Sequence, residues 1–316
     1  MYFPYLRGKQ FELILLRDNL DLLANSQITP IIEPVKENFT ALIRTVKVLN
    51  EKKVECIIIV NPQAGLSPVK PDDILSDLIE NEFRDFNNVS IGYILHAESR
   101  KAGLTGLLKK YEAKSFALIH YGFMEGKELS VAISNNQNIK HHIFIDGHSG
   151  KLYRKSFKNG SSIRILVRDG FKQQKKNALY PPMDHFSDLH ITYDEELMDG
   201  FGDFLIVGDD YTETGGPAYA VAIHLTYLNS EDDDMFIHHF ISNQTDSPVD
   251  PGGKFLEALE KLVAELKKDN SSLLMTEAGK EYLRLYDKQH FPGLGTVKKL
   301  SMQHHIELIA DYQSRA

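Results

Sequence analysis

The sequence predicts a (β/α)8 barrel of the TIM type, with an inserted or appended β-hairpin and a C-terminal helical extension. Three observations predict it. Eight short apolar runs rich in β-branched residues recur between residues 12 and 211, near-continuous as strands covered on both faces of a parallel sheet are. Most are separated by segments of helical period at the spacing of a βα unit. The 316 residues, 42% hydrophobic and 25% charged, suffice for one large barrel with additions. An open doubly wound sheet is the alternative, but no GxGxxG follows the first run.

The runs are 12–18 (ELILLRD), 28–35 (ITPIIEPV), 55–61 (ECIIIVN), 90–97 (SIGYILHA), 115–121 (SFALIHY), 141–147 (HHIFIDG), 162–170 (SIRILVRDG) and 202–211 (GDFLIVGDDY). Between them, 39–51 puts Leu42, Ile43, Val46 and Leu49 on one helical face, and 71–86 does so with Ile74, Leu78, Ile79 and Phe83. Segments 101–111, 128–136 and 185–198 complete the crossover helices, the last with Asp184 as N-cap. Residues 151–159 alternate more like a strand or loop. Past the eighth run, 218–228 and 235–242 flank the acidic turn 230–234 and read as an antiparallel hairpin within 218–243. Asp250-Pro251-Gly252-Gly253 then breaks the chain. Helices are expected at 255–268, at 277–286 behind Thr276 as cap, and at 296–312. The expected division is a barrel with its hairpin over 1–250 and a helical extension over 251–316.

A net charge of −8 argues against a general polyanion binder. The single cysteine, Cys56, excludes an internal disulfide, and its place at the start of a strand makes it a structural thiol. The opening MYFPYLRGKQFELILLRD carries charges where a signal sequence needs an apolar run. No segment approaches the ~18 apolar residues of a membrane span. A cytoplasmic protein without a membrane partner is expected.

In a barrel, chemistry sits at the C-terminal ends of the strands, and those ends are polar here. They offer Arg17 and Asp18, Glu33, Asn61, His96, His120 with Tyr121, Asp146 with His148, Arg168 with Asp169, and Asp209 with Asp210. Glu33, His96, His120 and Asp146 form the candidate catalytic set: the carboxylates as bases or metal ligands, the imidazoles as acid/base groups. Arg17 and Arg168 are candidate anion clamps, because a planar guanidinium meets two phosphate oxygens at once. Asn61, Tyr121 and Asp209 complete the ligand-binding set. Glu33, His96 and Asp146 are the candidate ligands for a divalent metal, although no HExxH or paired His-x-His signature fixes a site or names the ion. The plainer reading is that strand-end charges stitch the barrel together through buried pairs, for example Glu33 with Arg17. No Walker loop, GxSxG elbow or kinase signature is present.

The charge pattern changes sign abruptly. Residues 151–176 hold nine basic residues and one acidic residue, Asp169, whereas 177–253 contain sixteen acidic residues and no lysine or arginine. Lys151, Arg154, Lys155, Lys172, Lys175 and Lys176, interleaved with Tyr153, Phe157 and Phe171, are compatible with phosphate contacts and stacking on single-stranded nucleic acid. Alternatively, the two segments neutralise one another through surface pairs.

The opening YFPYLRGKQFELILLRD, the PIIEPV strand, the FGDF element at 201–204 and the ending HFPGLGTVKKLSMQHHIELIADY resemble the so-called beta protein family of phages and bacterial mobile-element loci. The similarity runs the length of the chain. It implies a cytoplasmic bacterial protein linked to phage–host conflict and working with a protein encoded in the same locus; no reaction or catalytic set carries over. Three classes are therefore weighed: a barrel scaffold or sensor engaging a protein partner or phosphate-bearing ligand, a metal-assisted hydrolase of a nucleotide or phosphodiester, and a nucleic-acid binder using 151–176. Self-association into a homo-oligomer is compatible with each.

Overall fold

The computed structural model describes residues 1–65, 67–212 and 216–315. They divide into two compact units: Met1–Arg168 with Thr192–Asp203, and Asp169–Ile191 with Phe204–Ala316.

Unit 1 is the barrel. Its strands are β1 (Tyr5–Leu6), β2 (Ile31–Ile32), β3 (Cys56–Ile59), β4 (Val89–Leu95), β5 (Phe116–His120), β6 (Ile139–Ile145), β7 (Ile163–Arg168) and β9 (Gly200–Asp203); β8 (Met183–Ser187) belongs to unit 2. They pair in the order β1-β2-β3-β4-β5-β6-β7-β9, every pair parallel. The ring closes just before β1. Tyr2 bridges both Ile28 and Phe201, and the Phe3 N–H donates to the Phe201 carbonyl at 2.9 Å. The predicted barrel class is observed.

The crossover helices are α1 (Gln10–Asp18), α2 (Leu20–Asn25), α3 (Thr40–Glu51), α4 (Pro71–Asp73, continuing as a π-helical stretch Ile74–Glu82), α5 (Lys101–Lys110), α6 (Gly126–Ile133) and α7 (Lys151–Lys155). Four elements differ from expectation. The run at 12–18 is helix α1, because Gly8 turns the chain at φ +61° and the Glu12 carboxylate accepts the Arg7 and Lys9 N–H groups at 2.8 and 3.1 Å, which nucleates a helix. The true first strand is the short Tyr5–Leu6 segment upstream. The eighth strand is confined to Gly200–Asp203 and turns at Phe204. Residues 151–155 form a helix, docked through the buried Arg154 and the following Phe157. Residues 183–187 are strand, not helix, because β8 finds an edge to pair with in unit 2; only α8 (Leu189–Thr192) of the expected helix forms.

Glycine decides how β9 meets the N-terminus. A Cβ on Gly202 would lie 2.2 Å from the Phe3 carbonyl oxygen and one on Gly200 would lie 3.1 Å from that of Met1. The Phe3 ring stands against Gly200 and meets His141 edge-on, with centroids 5.5 Å apart.

Unit 2 holds the predicted hairpin, β10 (Ala222–Leu228) and β11 (Met235–Ile241), extended by β8 into a three-stranded antiparallel sheet of order β10-β11-β8. Helices α9 (Pro251–Leu266), α10 (Glu277–Asp287) and α11 (Leu294–Arg315) complete it, and the Thr276 hydroxyl caps α10 by accepting the Gly279 N–H at 3.0 Å. Ile223, Leu225 and Tyr227 share one core with Phe255, Leu259, Leu262, Tyr282 and Val297. The division expected at residue 251 therefore falls inside unit 2. Among the described residues no helix is long and apolar enough to cross a membrane.

Gly202→Ala is expected to destabilise the protein by about 3 kcal/mol or more, because a backbone carbonyl cannot give way to the added methyl. Gly106→Ala, on α5 with nothing within 4 Å of the new Cβ, should stabilise by up to ~1 kcal/mol. Urea denaturation of the two variants checks the contrast.

Candidate functional site

Strand alternation assigns each polar side chain to one of two faces. The position of a Cβ on Gly92 is packed by the side chains of Ile57, Ile59 and Ile119, which therefore share its face, while Tyr93 reaches Gly103 of α5. Gly92 thus faces the barrel interior and Tyr93 the helices. Propagated through the register, the interior at the C-terminal mouth receives Tyr5, Glu33, Asn61 and Tyr121, whereas His120, His142, Phe144, Asp146 and Arg168 face outward.

Glu33 is the centre of the interior group. It is 1% exposed and its carboxylate is saturated. Oε2 accepts the Tyr5 hydroxyl at 2.8 Å and the Arg7 guanidinium, and Oε1 accepts the backbone N–H groups of Gln63 and Ala64 at 2.6 and 2.9 Å. Arg7 also lies over the Tyr5 ring, 4.7 Å from its centroid. A buried carboxylate needs such company, since an unpaired charge there costs several kcal/mol. The predicted stitching pair exists with a different arginine. Arg7 directly follows β1, so locating the first strand at Tyr5–Leu6 would have found it.

Arg17 is not at the mouth. It lies in the last turn of α1 and donates to Thr45 Oγ1 of α3 at 2.7 Å, so it cannot clamp an anion in the barrel. Asn61 is used as a peptide mimic, its Nδ2 donating to the Ile94 carbonyl at 2.9 Å and its Oδ1 accepting the Ile94 N–H at 2.8 Å. This extends the β3–β4 ladder past the end of β3. His96 is half-buried in a turn, with Nδ1 accepting the Glu98 N–H at 3.3 Å. Tyr121 stacks on the exposed His148 ring at 4.1 Å between centroids.

His120 sits outside the sheet, fully buried under α7. Its Nδ1 meets the Tyr153 hydroxyl at 2.6 Å and its Nε2 meets His142 Nδ1 at 3.0 Å, with Phe144 and Phe157 rings 4.5 and 4.6 Å away. Gly126 of α6 makes room for Tyr153, whose ring lies 2.6 Å from where a Cβ would stand. Burial, with His142 alongside, holds the His120 imidazole well below its ordinary range. Burial and the neighbouring His141 and Arg164 bring His142 down to about 4, and burial pushes the Tyr153 phenol up. All three groups are neutral at pH 7. Asp146, also outward, binds Arg168 Nε at 2.7 Å and lies 3.9 Å from Arg154. The structure thus joins Asp146 to Arg168 but does not bring Glu33, His96, His120 and Asp146 to one mouth. Glu33 and Asp146 lie on opposite faces of the sheet wall, so they and His96 do not form one metal centre. Among the described residues no group of three or more His, Cys, Asp or Glu is placed to hold a metal ion.

Five of the nine basic residues of the segment meet acids within their own unit. Arg154 is buried against Glu196 at 2.8 Å, Lys151 lies 3.2 Å from the same carboxylate, and Arg164 pairs with Asp199 at 3.4 Å. In unit 2 Lys172 pairs with Asp184 at 3.4 Å, and Asp169 accepts the N–H groups of Phe171 and Asp209 at 2.9 and 2.8 Å. Buried Arg154 is unavailable to a nucleic acid; Lys155, Lys175 and Lys176 are exposed.

No protein-family model matches this sequence, and neither does any curated protein.

Glu33→Ala should destabilise unit 1 by about 3–5 kcal/mol, since it orphans two N–H groups, a phenol and a guanidinium at once; Glu33→Gln, which keeps an acceptor, should cost less, and urea midpoints compare them. Acid should also unfold the barrel. The unfolded histidines titrate near 6.5, whereas His141 and His142 fall to about 4 in the fold and His120 is lowered too. The neutral forms therefore contribute stability that is complete above pH 6.5 and is lost as pH falls toward 4. Circular dichroism melts across that range should show a steadily falling midpoint, with a shallower slope in His142→Gln.

Proposed function

We propose that this chain is a barrel scaffold or sensor that engages a protein partner encoded in the same locus, in a cytoplasmic phage-related or anti-phage module of bacteria. The observation that carries this reading is the saturation of Glu33 by four protein donors. A carboxylate so occupied has no lone pair directed at a substrate, and removing any donor exposes a buried charge. The other groups suited to chemistry are spent in the same way: Asn61 on the strand ladder, His120 on Tyr153 and His142, Asp146 on Arg168. This favours scaffolding over the metal-assisted hydrolase. The ion pairs of Lys151, Arg154 and Lys172 favour it over nucleic-acid binding through 151–176. The end-to-end resemblance in the opening, PIIEPV, FGDF and FPGLGTVKKL segments supplies the phage-related context.

The surface best suited to a partner is the acidic turn between β10 and β11. Glu231 and Asp232 are exposed at its tip, while Asp234 is held by His185 at 3.0 Å and Asp233 lies 4.0 Å from Arg315. The ordered base and charged tip fit a basic protein surface, for which charge complementarity mainly sets approach and specificity.

Co-expression with the proteins of its locus, followed by size-exclusion chromatography and mass spectrometry, tests the reading. A stoichiometric protein complex is expected, weakened about tenfold at low salt by Glu231→Lys with Asp232→Lys and much less at high salt. A co-purifying nucleotide, or nucleotide hydrolysis that Glu33→Gln abolishes in folded protein, would overturn it.

A further inference from the structure

The sequence contains a single Asn-Gly pair, Asn159–Gly160. It lies in the turn between α7 and β7, and Asn159, Gly160 and Ser161 are all exposed. Such a pair can close a five-membered ring between the asparagine Cγ and the next backbone nitrogen. Glycine favours the closure, because without a Cβ it neither shields that nitrogen nor restricts the backbone rotation required. A fold prevents the reaction by holding either group in place.

Here neither is held. The Asn159 side chain and the Gly160 N–H have no hydrogen-bond partner among the described residues. Beyond its chain neighbours, a Cβ on Gly160 would meet nothing nearer than the Ser162 nitrogen at 3.8 Å. The three Asn-Ser pairs, the next most reactive class, are restrained. The Ser26 N–H donates to the Leu22 carbonyl at 3.1 Å and the Ser271 N–H to the Lys268 carbonyl at 3.2 Å, so the attacking nitrogens after Asn25 and Asn270 are occupied. The Asn229 side-chain oxygen accepts the Glu231 and Asp232 N–H groups at 3.2 and 3.0 Å, which fixes that side chain. Just past the Asn159 turn the chain is anchored again: Ser162 Oγ donates to the Ile139 carbonyl at 2.7 Å, and the Arg164 N–H to the Asp199 carboxylate at 2.9 Å.

We propose that Asn159–Gly160 is a site of spontaneous covalent modification, converting to isoaspartate and aspartate while the protein stays folded. The Gly160 nitrogen attacks Asn159 Cγ. The N–Cγ bond forms, the Cγ–Nδ2 bond breaks, and Nδ2 leaves as ammonia with the proton that Gly160 gives up. Water then adds to either carbonyl of the succinimide and breaks one C–N bond. Opening at Cγ leaves aspartate; opening at the main-chain carbonyl leaves isoaspartate, in which the chain runs through Cγ. Either product adds one negative charge beside exposed Lys158.

Peptide mapping by mass spectrometry of full-length protein, incubated at mildly alkaline pH, tests this. The peptide holding Asn159 should gain about 1 Da and split into two chromatographic forms. One of them should accept a methyl group from labelled S-adenosylmethionine through an isoaspartyl methyltransferase. Conversion in the folded chain should proceed at a rate comparable with that in the urea-unfolded chain, since no structure has to open first. Asn159→Gln should abolish it, and Gly160→Ala should slow it about tenfold or more; thermal melts matching the parent protein show that both variants fold. Peptides holding Asn25, Asn229 and Asn270 should keep their mass in the folded chain. An unchanged mass at 159–160, conversion far slower than in the unfolded chain, equal conversion at the Asn-Ser pairs, or indifference to Gly160→Ala would each overturn the proposal.

Discussion

A parallel sheet becomes a barrel only if its last strand can reach its first, and here that reach depends on the missing side chains of Gly200 and Gly202. With any Cβ at 202, the carbonyl of Phe3 would be in the way, and an open sheet would keep two unpaired edges. The Phe3 ring stands against Gly200, and the Phe3 carbonyl and the Val167 side chain stand against Gly202. Outside the seam, the Tyr2 hydroxyl donates to Asp203 at 2.7 Å. Burial and that carboxylate's charge raise the phenol's pKa, so Tyr2 keeps the proton it donates. Closure in turn sets which strand-end groups face inward, and so which of them meet.

What meets at the mouth is a stitched carboxylate. Glu33 ties β2 to β1 through Tyr5 and Arg7 and to the segment after β3 through two backbone N–H groups. Outside, the Tyr153–His120–His142 chain fastens α7 to β5 and β6 with neutral hydrogen bonds. Both arrangements follow from one rule: a polar group taken from water must find partners within the fold. Polar residues at barrel strand ends are thus compatible with architecture alone, and their number says little until their hydrogen bonds are counted. The contrast with the surface is sharp. Exposed Lys155, Lys175 and Lys176 and the acidic turn tip are among the groups left with unspent charge.

The sequence alone determined the barrel class, because strands buried on both faces need near-continuous β-branched runs, and seven of the eight runs overlap an observed barrel strand. It also determined the hairpin, through its acidic turn, and the cap at Thr276, through local hydrogen bonding. Periodicity failed where a short-range or a distant partner overrode it. Residues 12–18 are as apolar as a strand, yet Gly8 and Glu12 make them a helix; residues 183–187 become a strand only because β11 presents an edge to them. The site was least legible. The strand-end pattern points to Glu33, but it hides the partner Arg7 because the first strand lies upstream of the apolar run at 12–18, and His120 and Asp146 face away from the mouth that their strand-end positions suggest. Only the tertiary structure decided that, because strand polarity alternates with each residue and a shift of one turns a side chain from the interior to the helices.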